Sequence, residues 1–174
     1  MKCPRRTSGS IRVWAARGGH GATTIAGALG VLLGTHARSH DQDALDWMWT
    51  NDRPIRPNQG TTIHDEGVLT GPLATSPSDI VVLRGPCSVA LRELAYRSVR
   101  IDHLILIREP WRPLRPSDVE DALGKGIDAE VEFSFRVARL ADAGLLSARV
   151  VGLPEFADLR SWTDRQLVAS LPTP

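Results

Sequence analysis

The sequence predicts an α/β fold, a doubly wound, mostly parallel sheet of about six strands with helices on both faces. Three observations predict it. The stretch from Ile11 to Gly34 reads as a short apolar strand, a glycine-rich turn and an alanine-rich apolar helix. Ile80-Val81-Val82-Leu83 and Leu104-Ile105-Leu106-Ile107 are continuous apolar runs, the mark of strands buried on both faces. Helical patterns separate such runs, as crossovers between parallel strands require.

Residues 11–16 form the first predicted strand, and residues 23–34 the first helix. The helix is apolar nearly all round, so it packs on the sheet and is covered on its other side. Gly27, Gly30 and Gly34 lower its propensity. They are expected to allow close approach to the sheet, with Gly34 as the stop. Between strand and helix, Gly18, Gly19 and Gly21 let backbone N–H groups converge on an anion, and the helix N-terminus adds partial positive charge. This is the layout of a phosphate-binding loop. The Walker pattern closes such a loop with Gly-Lys-[Ser/Thr]; here the chain reads Gly21-Ala22-Thr23, with alanine in the lysine position.

Arg17-Gly18-Gly19-His20-Gly21-Ala22-Thr23-Thr24 resembles the deviant Walker A loop of ParA/MinD-like P-loop ATPases, whose pattern is Lys-Gly-Gly-x-Gly-Lys-Thr-[Thr/Ser]. Five of its seven fixed positions are kept: Gly18, Gly19, Gly21, Thr23 and Thr24. Both lysines are replaced, by Arg17 and Ala22. The resemblance implies a P-loop NTPase-like fold that takes ATP and Mg2+, with binding weakened by Ala22. It implies that N–H groups of Gly19 to Thr24 hold phosphates, with His20 at the variable position. It assigns Thr23 to magnesium, with Asp65 behind it, and sends Arg17 across a homodimer to the partner's phosphates, as an arginine finger does.

Residues 35–43 are polar for a central strand, yet by position they take the place of that family's second strand, which ends in Asp-x-Asp. Asp41-Gln42-Asp43 matches in type. Two readings stand: one carboxylate associated with the attacking water, as the resemblance implies, or residues that end a strand or cap the helix Ala44–Trp49. Asn51 to Gly60 reads as a loop. Residues 61–67 read as a strand ending in Asp65-Glu66-Gly67, the place of the family's phosphate-sensing switch. Asp65 is either the metal partner there or a turn residue.

Residues 78–84 are a buried strand. Gly85-Pro86 turns it into a helix over 87–96, started by Ser88 or Cys87, with Val89, Leu91, Leu94 and Ala95 as its buried side. Residues 101–108 are a strand, and 109–116 a proline-rich loop. Ser117-Asp118-Val119-Glu120 reads as a capping box for a helix over 118–123, stopped by Gly124. Residues 127–133 alternate as an edge strand does, and 134–144 form a helix with a glycine stop. Asp118-Val119-Glu120-x-x-Leu123-Gly124 and Ala138-Arg139-x-x-Asp142-Ala143-Gly144-Leu145-Leu146 also resemble the later part of actinobacterial single-domain ParA/MinD-like proteins. The resemblance thus spans residues 11–34 and about 61–147. A last helix runs over 154–171, with Phe156, Leu159, Trp162, Leu167 and Leu171 along it. Asp158 and Asp164 offset Arg160 and Arg165, so it reads as packed on the domain and not as a basic membrane-docking helix.

The 174 residues suit one domain over 11–174, preceded by a disordered basic tail over 1–10. A net charge of +1 supplies no field to recruit nucleic acid. Cys3 and Cys87 lack metal-type spacing and read as reduced thiols of a cytoplasmic protein. No apolar run reaches the ~20 residues of a membrane span, and no apolar signal core follows the basic start.

Loss of the lysine removes a charge-assisted contact worth roughly 1.5–3 kcal/mol, about 10- to 100-fold in affinity. Hydrolysis suffers more, because that contact strengthens as charge develops. Three functions follow: a degenerate ParA/MinD-like protein with weak or no hydrolysis, acting on a protein partner in a positioning or partition system; an active ATPase in which Arg17 compensates; or a scaffold without nucleotide. Trp111, with Arg108, Arg112 and Arg115, forms an aromatic–basic cluster at the carboxyl side of the sheet. It stacks an adenine, anchors a partner, or covers a helix end.

Overall fold

A computed structural model of the chain describes residues 9–49, 61–71, 79–97 and 100–169. Residues 1–8 of the tail expected over 1–10 (with Cys3), the loop over 51–60, and the side chains of Trp47, Leu167 and Leu171 lie outside the described residues, while Gly9 and Ser10 belong to the first strand. Six strands form one sheet: β1 (Gly9–Ala15), β2 (Ala37–Ser39), β3 (Thr61–Val68), β4 (Asp79–Gly85), β5 (His103–Arg108) and β6 (Ala129–Glu132). The helices are α1 (Ala22–Leu33), α2 (Gln42–Met48), α3 (Ser88–Tyr96), α4 (Pro116–Leu123), α5 (Phe135–Asp142), α6 (Leu146–Arg149) and α7 (Ala157–Ala169), with 3-10 turns at Val150–Gly152 and Pro154–Phe156. Spatial order is β2-β3-β1-β4-β5-β6, and every pairing is parallel.

Period-two alternation feeds two cores from the same strands. Val13, Ile80, Val82, Ile105 and Ile107 point to one face, where Ile25 and Leu29 of α1, Leu45 and Trp49 beside α2, and Phe156, Leu159 and Trp162 near the C-terminus cover them. Val81, Leu83, Leu104 and Leu106 point to the other face, under Ala90, Leu91 and Leu94 of α3 and Val119 of α4. The sheet is therefore doubly wound, as the apolar runs predict. Connections leave β1 and β4 toward opposite faces, which opens a crevice at the carboxyl ends of these two neighbours. At their other ends the Arg12 guanidinium grips the buried Asp79 carboxylate through two bonds of 2.7 Å, pinning β1 to β4.

Several local expectations are corrected. The first strand starts at Gly9, where it pairs with Thr61. The second strand stops at Ser39, so Asp41-Gln42-Asp43 does not end it; the capping reading holds at Asp41, which is the N-cap of a helix that starts at Gln42 and accepts from the Ala44 N–H at 3.0 Å. Gly27 does not serve the sheet, whereas Gly30 does allow close approach to β2. The Trp49 indole lies where a Gly27 Cβ would sit, 2.1 Å from its Nε1, and Gly30 faces the Thr35 carbonyl and Ala37. Gly34, left-handed at φ 62°, does end α1. On α3 the buried stripe is Ala90, Leu91 and Leu94; Val89 and Ala95 are exposed. Cys87 is its N-cap.

The predicted box at Ser117 shifts by two residues. Arg115 is the N-cap of α4, Pro116 takes the first helical position, and the Asp118 carboxylate accepts the Arg115 N–H at 2.6 Å. Glu120 accepts from the Ile127 N–H instead. β6 is an edge strand as its alternation implies. The C-terminal segment packs as expected, with Phe156 and Leu159 fully buried, although its first turn is 3-10. Among the described residues no helix is long and apolar enough to cross a membrane.

Candidate functional site

The loop joining β1 to α1 lies over the crevice between β1 and β4. Gly19 (φ 77°) and Gly21 (φ 83°) are left-handed, the conformation from which anion-binding nests of N–H groups are built. A Cβ on Gly18 or Gly19 would meet nothing within 4 Å, so the outer side of the loop is open. Gly21 differs: a Cβ there would lie 2.7 Å from Ile107 Cδ1, so the loop sits directly on the core. The helix then starts with no capping side chain and no acid in its first turn. The N–H groups of Ala22, Thr23 and Thr24 have no intrahelical partner by construction, which leaves an uncompensated positive end.

Ala22 is the first residue of α1 and is buried. Thr23, next in the turn, donates its hydroxyl to Asp65 Oδ2 at 2.6 Å. Asp65 is only 4% exposed, near the end of β3, and also accepts from Ser39 Oγ at 2.8 Å and from the Gly67 N–H at 3.1 Å. The strand continues through a left-handed Gly67 to Val68, and its pairing with β1 shifts register there. Thr23 and Asp65, singled out separately in the sequence, are thus brought into contact. Asp41 and Asp43 are not brought there in the same way: the Asp41 carboxylate is occupied as a helix cap, its N–H binds Ser39 Oγ, and Asp43 is exposed in the first turn of α2. Arg17 is exposed at the start of the loop and makes no ion pair among the described residues.

His20 points inward. It is 7% exposed, and its Nδ1 accepts the Arg84 N–H at 3.4 Å, which puts the ring proton on Nε2. Burial holds its pKa below the ordinary 6.5, the Arg17 and Arg84 charges lower it further, and Glu109 opposes them. His20 therefore brings no positive charge to the loop near neutral pH. The folded state takes up its proton at lower pH than the unfolded chain does. Its contribution is complete above pH 6.5 and is lost as pH falls through the lower folded value. Thermal midpoints of the native chain and His20→Asn should diverge less at about pH 5 than at about pH 7.5. An equal gap at both would mean that the ring does not titrate in this setting.

Two residues that the sequence reading passed over complete the site. Arg84, near the end of β4, donates Nη1 to the Gly19 carbonyl at 3.2 Å and Nε to Glu109 Oε1 at 2.9 Å. Its guanidinium carbon lies 4.4 Å from the Phe133 ring centroid. Glu109 is buried and also accepts from Arg112 at 2.8 Å. Burial alone would raise its pKa, but bonds from Arg112 and Arg84 hold it below the ordinary range. A charged residue closing an apolar strand beside a glycine loop was the signal available for Arg84.

Trp111 is 58% exposed and stands edge-on to Phe133 at 5.5 Å, so Phe133 and Arg84 link it to the loop. Two of the three arginines around it are paired, and Arg115 is exposed. Arg108 pairs with Glu130 and Glu132, and Arg112 with Glu109.

The residues present fit a phosphate with magnesium in part. The glycine loop, the bare helix end and the hydroxyl–carboxylate pair suit the two groups, and Ala22 offers no cation. Among the described residues no cluster of three or more His, Cys, Asp or Glu could hold a metal. Magnesium at a phosphate needs only one or two protein oxygens, because phosphate and water supply the rest.

No protein-family model and no curated protein matches the chain. Solved structures do. The MinD cell division protein of Aquifex aeolicus superposes with a TM-score of 0.70 at 14% identity, over 95% of this chain and 100% of that one. A ParA family ATPase from Chlorobium tepidum gives 0.66 at 11% identity, over 90% and 99%. The septum site-determining protein MinD of Pyrococcus horikoshii, complexed with Mg-ADP, gives 0.64 at 13% identity, over 93% and 97%. The chain has the fold of MinD and ParA ATPases.

Proposed function

We propose that this chain binds a nucleoside triphosphate with magnesium at the β1–α1 loop, hydrolyses it poorly, and acts by engaging a protein partner in a positioning or partition system. The Thr23–Asp65 pair, at 2.6 Å beneath the bare N-terminus of α1, carries the reading. A hydroxyl held by a buried carboxylate is placed to enter a magnesium shell. The Mg-ADP in one structure of the same fold supports that choice of ligand. Poor turnover follows from two features: Ala22 adds no cation to stabilise transferring phosphate, and the Asp41 carboxylate is committed to capping α2. Arg17, exposed at the loop mouth, is free to reach a second copy of the chain across a homodimer.

Calorimetric titration with ATP, with and without magnesium, tests the reading. Magnesium should tighten binding by about tenfold or more. Thr23→Val should lose that gain and Thr23→Ser should keep it, with ATP turnover near background throughout. Absence of ATP binding, or tightening by magnesium that survives Thr23→Val, would overturn it.

A further inference from the structure

We infer that Arg84 is the phosphate-facing cation of this loop and stands in for the side chain that Ala22 lacks; the inference rests on the proposed use of the loop as a phosphate cradle. Arg84 reaches the loop from β4, across the crevice, and not from α1 where the Walker lysine would stand. Its position is held on three sides by Glu109 at Nε, the Phe133 ring at the guanidinium face, and the Gly19 carbonyl at Nη1. The entropy of ordering this long side chain is therefore already lost before any ligand arrives. Nη2 takes no partner among the described residues, so the outer edge of the fork has donors to spare.

Charge points the same way. Arg84 and Arg112 flank a single carboxylate, Glu109, and the neighbouring His20 is held neutral. That trio keeps one uncompensated positive charge at the crevice, and Arg17 adds its own at the loop. Guanidinium matches phosphate bidentately, and a surrounding of low dielectric strengthens the match.

The test titrates the full chain with Mg-ATP and with inorganic tripolyphosphate. Arg84→Gln should weaken both by about 10- to 100-fold, and Arg84→Lys should retain most of the affinity. Ala22→Lys in the Arg84→Gln background should restore binding, which also shows that the variant folds. Undiminished or tighter binding by Arg84→Gln would make Arg84 a fastening of the loop alone, leaving the cradle reading in place. A native chain that binds neither probe while Ala22→Lys binds both would overturn both readings, leaving a cradle that holds phosphate only with a lysine at 22. If neither protein binds either probe, both readings fall together.

Discussion

Phe156→Ala should lower stability by about 3–5 kcal/mol, the range for emptying a fully buried aromatic site. Phe156 is 0% exposed and sits with Leu153 and Leu159 in the core on the α1 side of the sheet. It belongs to the 3-10 turn that leads into α7, a segment that returns to β6 after the last strand. The domain has a total stability of roughly 5–15 kcal/mol to draw on, so about a fifth or more is at stake. In a chain of this size the thermal midpoint should fall by roughly 6–20 °C. Tyr96→Ala is the control, because Tyr96 is 91% exposed, and it should change stability by less than about 0.5 kcal/mol. Urea melts of both variants decide the matter. A loss below about 1 kcal/mol for Phe156→Ala would mean that the C-terminal segment is an appendage and not part of the core.

That prediction also marks where sequence and structure agree. Strands buried on both faces announce themselves, because Ile80 to Leu83 and Leu104 to Ile107 have no polar residue to place at a surface. The loop was legible because glycines followed by two threonines are a local pattern. Thr23 and Asp65 were both legible as candidates, since each ends or begins an element on the ligand side of the sheet. Their contact spans 42 residues of sequence, and only the β1–β3 pairing creates it.

The misreadings share a physical cause. The boundary of β2 was not legible, because a three-residue strand has too short a pattern to fix it; Asp41 took the cap of the helix that follows, one of the readings the sequence left open. Gly27 looked like a sheet contact, yet it accommodates a tryptophan that lies 22 positions on in the sequence. The burial of His20 beside Arg84 and Glu109 was not legible, because both neighbours come from distant parts of the chain. Each of these depends on tertiary neighbours that no periodicity encodes. Arg84 was the most consequential omission, since it is a charge at the end of an otherwise apolar strand, and such strand ends are where ligands meet this class of sheet.

Ala22→Lys should tighten Mg-ATP binding by about 10- to 100-fold, the worth of one charge-assisted contact of roughly 1.5–3 kcal/mol. Without ligand the same change should be unfavourable. Ala22 is buried in the first turn of α1, where a cation opposes the helix dipole by about 0.3–1 kcal/mol, and Arg17 and Arg84 add to the positive charge nearby. The variant should therefore melt lower than the native chain alone and gain more from ATP, about 1.4 kcal/mol for each tenfold in affinity at high ligand. Turnover should rise far less than affinity, because the lysine does nothing to release Asp41 from Ala44 or to position a water. Calorimetry, melting with and without ATP, and phosphate release together give the answer. Tight binding with little hydrolysis would separate the two proposed causes of poor turnover, the missing cation and the capping role of Asp41. Unchanged affinity would mean that a lysine at 22 cannot reach the phosphate site, and that the path of α1 into the loop, not one side chain, sets what the loop can hold. Full turnover would show that the Asp41 cap is readily given up, and the chain would then be one substitution from an active enzyme.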